Sequence, residues 1–556
     1  MTRIGLIILF FSLSIHSIRA QIIDRASIGK SVLLKRLPKD TVPVVNPTNP
    51  ATIENGGKLI EFLSAETYNV KKMDSMDYLV FVGHVKIRQG KTLLYGDSLI
   101  LNTTKNTLEG FGHIHINDAD SVDTYSDYLK YLGATKKAFL RKKVKLTDGK
   151  GILTTDSLDY EVATKIGVFT KGGKLVRNKT VLTSKEGMYY GETRDVIFRN
   201  KVELHDVDNH IITDTLEYNT YSQLANFISP SKIITGSRTI TTSNGNFNTG
   251  LKQGYLYERS EIDDSTYHFI ADEMAVDDSV GTGVFKGNAI YRSKDTLGFD
   301  LMANNIKTNK VKSVLFATEH PLLLIKQKDD TLYIAADTLH TGKISDLNKP
   351  IPKARDSVGK IVDTTLNKYF EAYHHVRIYS DSLQATADSL FYSLNDSTIR
   401  LLSNPIVWAN DNQITGDTIY LFIKNKKPEQ LHVFENAFAF NKIDTTSYFN
   451  QLKGNRLNAW FQNGAISKMI TKGNAENIYF ALDTKKNFIG INHSNAQIIE
   501  ITFENNEPAK VIFRNQLIGN MTPIGQTPKT DLLIRGFQWL DNLRPKSKLD
   551  LSPNFH

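Results

Sequence analysis

Pairs of apolar residues two positions apart recur along this chain behind an acidic or amide residue, at steps of 28 to 33 residues with one longer step of 51. The marking residues are Asp97, Asp127, Asp156, Glu186, Asp214, Asn244, Asp272, Asn304, Asp337, Asp388 and Asp417. Behind them stand Leu99/Leu101, Leu129/Tyr131, Leu158/Tyr160, Met188/Tyr190, Leu216/Tyr218, Met274/Val276, Leu390/Tyr392 and Ile419/Leu421. Apolar residues at i and i+2 share one face of an extended strand. A second mark falls between the first: a small or polar residue two positions ahead of an apolar one, as at Gly83/Val85, Gly112/Ile114, Asn200/Val202, Gly287/Ala289 and Gly473/Ala475. Each period therefore predicts at least two strands, and the whole predicts an elongated, repetitive all-β stack. Eleven layers at about 4.8 Å each would extend roughly 50 Å.

The pattern is absent from some segments. Residues 1–20 carry Arg3, an apolar run from Ile4 to Ile15 and a small-residue junction before Gln21, the signature of an export signal peptide. The apolar run is shorter than the roughly 20 residues of a spanning helix. Residues 21–60, with Pro38, Pro43, Pro47 and Pro50, read as a leader or linker. Repeats occupy 61–340 and 368–515. Between them, 341–367 contains Pro350 and Pro352 and reads as a linker or long loop. The extension 516–556 holds one apolar cluster, Leu532 to Leu540, which includes Phe537 and Trp539 and is a candidate docking or capping element.

Composition narrows the chemistry. At 40% hydrophobic and 10% aromatic, with 35 Gly and 15 Pro in 556 residues, the chain folds and is not of low complexity. It has no Cys, so it forms no disulfide and no thiolate metal site. The net charge of +9 favours an anionic ligand or surface, although 68 basic residues face 59 acidic ones and most of these charges solvate the exterior. His113/His115 and His374/His375 lack a His-Glu-x-x-His frame. Gly167 to Lys174 and Gly281 to Gly287 miss the phosphate-loop and dinucleotide spacings and read as strand turns. The recurring Asp occupies equivalent slots, where Asp followed by Ser or Thr predicts turn caps rather than an active site. No enzyme, cofactor, metal centre or nucleic-acid contact is implied.

The period, with short strands and Gly at corners, fits a folded-over antiparallel jellyroll. The succession Leu79 to Ile87, Gly96-Asp97-Ser98-Leu99, Leu108 to Ile116 with Gly110 and Gly112, and Thr155-Asp156-Ser157-Leu158-Asp159-Tyr160 resembles the OstA-like family. Asn404-Pro405-Ile406-Val407-Trp408, Asn412 to Ile419 and Gly473 to Tyr479 are similar to its long, multi-repeat members, so the resemblance spans about 61–515. The family includes the LptA-type periplasmic lipopolysaccharide transport proteins. The resemblance implies an elongated OstA/LptA-like β-jellyroll with an apolar groove for lipid A acyl chains. It also implies a periplasmic location, with outer-membrane association open, and a role bridging inner and outer membranes. Its implied partners are lipopolysaccharide and other jellyroll transport components at both membranes, with head-to-tail self-association through sheet edges.

Groove candidates are Val85, Ile87, Leu99, Leu101, Ile114, Ile116, Leu129, Tyr131, Leu158, Tyr160, Met188, Tyr190, Val202, Leu204, Leu216 and Tyr218. Periodicity alone does not separate a filled core from an open groove and favours plain core packing at these residues; only the resemblance reverses this in favour of the groove. The alternatives are a structural or adhesive secreted β-solenoid with a solid core, and a polysaccharide-active β-helix enzyme with converging carboxylates.

Overall fold

A computed structural model of the chain describes residues 52–55, 58–73, 75–118, 122–295, 298–326, 331–347, 367–424, 427–443, 447–483, 487–505 and 507–551. The expected signal peptide, residues 21–51 of the leader and residues 348–366 of the linker lie outside these. Strands follow one another from Thr52 to Thr522, and the helical turns are 3-10 segments of three or four residues. Among the described residues no helix is long and apolar enough to cross a membrane.

The strands Met76–Gln89, Thr92–Asn102, Thr107–Asp118, Val122–Leu132, Lys137–Thr147 and Ile152–Glu161 pair antiparallel, each with the next. Each of these pairings is interrupted at mid-length by a bulge, for example between Val82 and Val85 and between Phe111 and Ile114. Two successive residues there have positive φ: Gly83–His84, Gly112–His113, Lys142–Lys143, Asn200–Lys201 and Gly287–Asn288. A bulge bends its strand, and bulges aligned across neighbouring strands crease the sheet. Ile152–Glu161 illustrates the result. Its first half pairs with Gly173–Arg177 and its second with Ile166–Phe169, two strands separated by the crease. The halves fold towards each other over one continuous apolar core that runs from Ile60 to Ile501.

The recurring Asp lies on this crease. Asp97 Oδ2 is 2.8 Å from His113 Nδ1, Asp337 Oδ2 is 2.8 Å from His375 Nδ1, and Asn288 Nδ2 donates to Asp272 Oδ2 at 2.9 Å. A Cβ at Gly112 or Gly287 would collide with the carboxylates of Asp97 and Asp272, so the bulge needs glycine there. The expectation of turn caps is thus corrected: other residues cap the hairpins. Asp148 Oδ1 accepts from the Lys150 and Gly151 amides, and Asn248 Oδ1 from those of Gly250 and Leu251.

One period supplies two paired strands, so it adds about 9.5 Å of stack, twice the expected layer. Two marks also shift. In Glu186–Tyr190 the buried residues are Gly187 and Tyr189, and in Gly245–Asn248 they are Gly245 and Phe247. The crease residues are therefore Lys185 and Ser243 rather than Glu186 and Asn244, and the four steps from Asp156 to Asp272 are each 29 residues. Because strand side chains alternate, a slip of one residue reverses the face.

The sheet continues across the second interruption, where Thr338–Gly342 pairs with Tyr369–Tyr379. Beyond it the strands become apolar on both faces, as in Ile406–Ala409, which is buried throughout. Val407 and Ala409 join the main core. On the other face, Phe438, Phe440, Ile478 and Phe480 are covered by the C-terminal extension through Ile534, Phe537 and Trp539. Three buried glutamines pin this strap. Gln451 Nε2 donates to Leu532 O while its Oε1 accepts from the Ile534 amide, both at 2.8 Å. Gln413 does the same with Gln538 O and the Leu540 amide, and Arg544 donates to Gln384 Oε1 at 2.9 and 2.6 Å.

Candidate functional site: an apolar hollow at the N-terminal mouth

At the N-terminal end the creased sheet does not close on itself. A hollow of about 150 Å³ lies between its halves. One wall comes from Ile60, Phe62, Ile87, Leu94, Ile116 and Val122, the other from Leu101, Leu108, Leu129, Tyr131, Ala138, Leu140 and Tyr160. These residues face inward because alternation along each strand places every second side chain on the core face. Gln89, Thr92, Asp118 and Thr124 form a polar rim. Phe62 stacks on Phe81 with centroids 4.3 Å apart and anchors the end of the wall. Burial raises the phenol of Tyr131 above its ordinary value and, with the charge of Asp118 adding, pushes that of Tyr160 up to about 12. Both rings are therefore neutral at physiological pH. The inner lining is mostly apolar, which suits a small apolar group.

Six groove candidates line the hollow: Ile87, Leu101, Ile116, Leu129, Tyr131 and Tyr160. Val85, Leu99 and Ile114 are packed beneath the crease at 1% exposure or less. Leu158, Val202, Leu204, Leu216 and Tyr218 belong to the packed interior further along, each 0% exposed. Met188 and Tyr190 are a correction: they are half-buried on the face opposite Gly187 and Tyr189, as the one-residue slip requires. Sequence reasoning missed Leu94, Leu108, Val122, Ala138 and Leu140. Their i, i+2 alternation was present, but on strands or half-strands away from the acidic marks.

Away from the mouth, the two rows of hairpin turns that form the lips of the fold are tied together. Thr220 Oγ1 donates to Asp148 Oδ2 at 2.8 Å, and Lys252 Nζ reaches Asp208 Oδ2 at 2.6 Å. Arg238 Nη1 donates to Asp278 Oδ1 at 2.8 Å, and Lys368 Nζ to Asp295 Oδ2 at 2.5 Å. Burial works against ionisation of Asp148. Hydrogen bonds from Gly151, Thr220 and Lys150 and the nearby Arg194 charge outweigh it, holding the carboxyl below its usual range. Asp295 is likewise held down against burial, by hydrogen bonds from Lys368 and Ser293 and by the Lys368 charge.

The sheet also offers an edge at this end. Thr67–Met73 is exposed along its whole length and pairs with Met76–Gln89.

Two overlapping stretches, residues 58–211 and 199–272, match the model of the family described as OstA-like protein. They contain every residue of the hollow. Among solved structures, the chain is similar to the crystal structure of LptH, the LptA homologous periplasmic component of the conserved lipopolysaccharide transport device from Pseudomonas aeruginosa. That likeness is at 15% identity with a TM-score of 0.13, covering 28% of this chain and 74% of that one. No curated protein matches.

Proposed function

With its residues 58–272 OstA-like, we infer that this protein is a periplasmic lipopolysaccharide-binding and transport protein that shields lipid A acyl chains at its N-terminal mouth. The observation that carries this reading is the apolar, partly open hollow lined by Ile87, Leu101, Ile116, Leu129, Tyr131 and Tyr160. Burying a methylene contributes about 0.8 kcal/mol, so a chain of a dozen carbons is held in a membrane by roughly 10 kcal/mol and crosses water only when shielded. The hollow accepts the leading carbons of such a chain. The tied repeats beyond it act as a spacer towards the other membrane. The strand Thr67–Met73, an edge among the described residues with Tyr68, Val70 and Met73 exposed, offers backbone groups for strand addition by another jellyroll component or a second copy.

The test places a photo-crosslinking residue at Tyr131 or Tyr218 in the exported protein. Capture of a lipid A-bearing glycolipid at Tyr131 and its absence at Tyr218 is the expected result. No capture at either position, together with no lipid A in mass spectra of the purified protein, overturns the reading in favour of a solid structural solenoid.

A further inference from the structure

A cluster unrelated to the hollow lies on the outer face of the tied repeats. Glu203 and His205 stand two residues apart on Asp195–His205, and His210, on Asn209–Asn219, is directly opposite His205. Alternation turns all three outward while Val202, Leu204 and Ile211 are buried beneath them. The connecting turn is held by Asp206 Oδ1, which accepts from the Asp208 and Asn209 amides at 2.9 and 2.8 Å, and this fixes the register of the two histidines. Their rings stack with centroids 3.9 Å apart and planes at 17°.

The donor atoms converge. Nε2 of His205 and of His210 lie 3.3 and 3.8 Å from the same oxygen, Glu203 Oε2, and the three potential ligand atoms all fall within 4.8 Å of one another. In a tetrahedral centre with bonds of about 2.0–2.1 Å, ligand atoms are roughly 3.3–3.4 Å apart, so the N–O distances are already near that spacing, and metal binding would require the two imidazoles to rotate out of their stack until both ring planes contain the ion. A second observation points the same way: His210 Nε2 is shielded from solvent and has no hydrogen-bond partner. A nitrogen lone pair held close to a carboxylate oxygen and a second imidazole is the arrangement a cation would complete.

We propose that Glu203, His205 and His210 form a binding site for a divalent transition metal of the zinc class, with three protein ligands and the remaining position open to solvent. The donor set decides the class. Two imidazoles and one carboxylate suit Zn²⁺ and its neighbours, whereas Ca²⁺ and Mg²⁺ require oxygen ligands. A metal here would staple the hairpin between the two strands from outside and leave the packed interior beneath it untouched.

The test uses the full exported chain without a histidine tag, stripped with chelator and titrated with ZnCl₂ by calorimetry. The expected result is one equivalent bound, with affinity reduced at least tenfold in His205→Ala and in His210→Ala and unchanged in a His374→Ala/His375→Ala control. Co²⁺ loaded in place of zinc should give the visible absorption of a tetrahedral site, lost in Glu203→Gln. The absence of saturable binding, affinity in His205→Ala or His210→Ala equal to the parent's, or a six-coordinate cobalt spectrum overturns the proposal. The three side chains are at the surface, so far-UV circular dichroism of the variants should match that of the parent.

Discussion

Between Ile60 and Val162 the halves of the creased sheet enclose a hollow, whereas from Phe169 to Phe299 aromatic rings occupy the corresponding space. The backbone plan is the same in both regions. A difference lies at one position per period, where Leu140, Phe169, Phe198, Phe227, Leu256 and Phe285 follow one another at steps of 29 residues. One period earlier the pairing places Gly110 there, opposite Leu129. Phe169 and Phe198 both oppose Gly187, whose missing side chain makes room for the rings. At this position Leu140 lines the hollow, Ile114 and Leu99 fill the space beside Gly110, and in the middle repeats Phe169, Phe198 and Phe227 fill the interior with rings. Side-chain bulk at this position is one difference between the hollow and the filled repeats, although Leu256 keeps a leucine within the latter.

Removing a ring from the filled region should have the largest effect. Phe198→Ala, at a site 0% exposed, is expected to cost about 3–5 kcal/mol, read as a lowered urea midpoint by circular dichroism. Next comes the lip. Asp278→Ala leaves the Arg238 guanidinium, 12% exposed, without its partner and should cost about 2 kcal/mol in the same assay. Leu140→Phe gives the mouth the residue of the filled repeats. Its stability should stay within about 1.5 kcal/mol of the parent while glycolipid capture at Tyr131 falls to background, and undiminished capture would show that the hollow is not the binding site.

Acid should loosen the lips before the core. Asp148 and Asp295 both have pKa values lowered in the folded chain. Their contribution is present above the unfolded value of about 3.9 and is lost as pH falls through their folded values. Thermal melts should therefore be flat down to about pH 4 and decline below it. The smallest effect is expected at the crease, where the His113–Asp97 pair is exposed on both sides. His113→Asn, which tolerates the positive φ, should change stability by no more than about 0.5 kcal/mol.

The repeat, the all-β class and the placement of two strands per period were legible because alternation and the acidic and glycine marks are local signals. The crease was legible only in part. Gly83, Gly112 and Gly287 stood out, but Lys142–Lys143 and His374–His375 adopt the same left-handed pair without glycine. The misplacement of Met188 and Tyr190 has a specific origin: that repeat has Lys185 on the crease, and the neighbouring Glu186 imitated the missing Asp. The hollow was not legible. It depends on which side chains meet across the fold, and Leu140 reads as an ordinary core residue unless it is aligned with Phe169 and Phe198. The strap was half legible: Phe537 and Trp539 marked an element that had to dock, while Gln384, Gln413 and Gln451 gave no sign that they would receive it.

The strap also bears on the order in which the chain is made. Synthesis runs from the N-terminus, so the inner core up to Ile501 can be complete before the residues around Ile534 exist. Until they follow, Phe438, Phe440, Ile478 and Phe480 present an uncovered apolar face and the three glutamines lack the partners that hold the strap. The segment around Ile534 is thus made after the core it covers, and a chain released before it would expose Phe438, Phe440, Ile478 and Phe480.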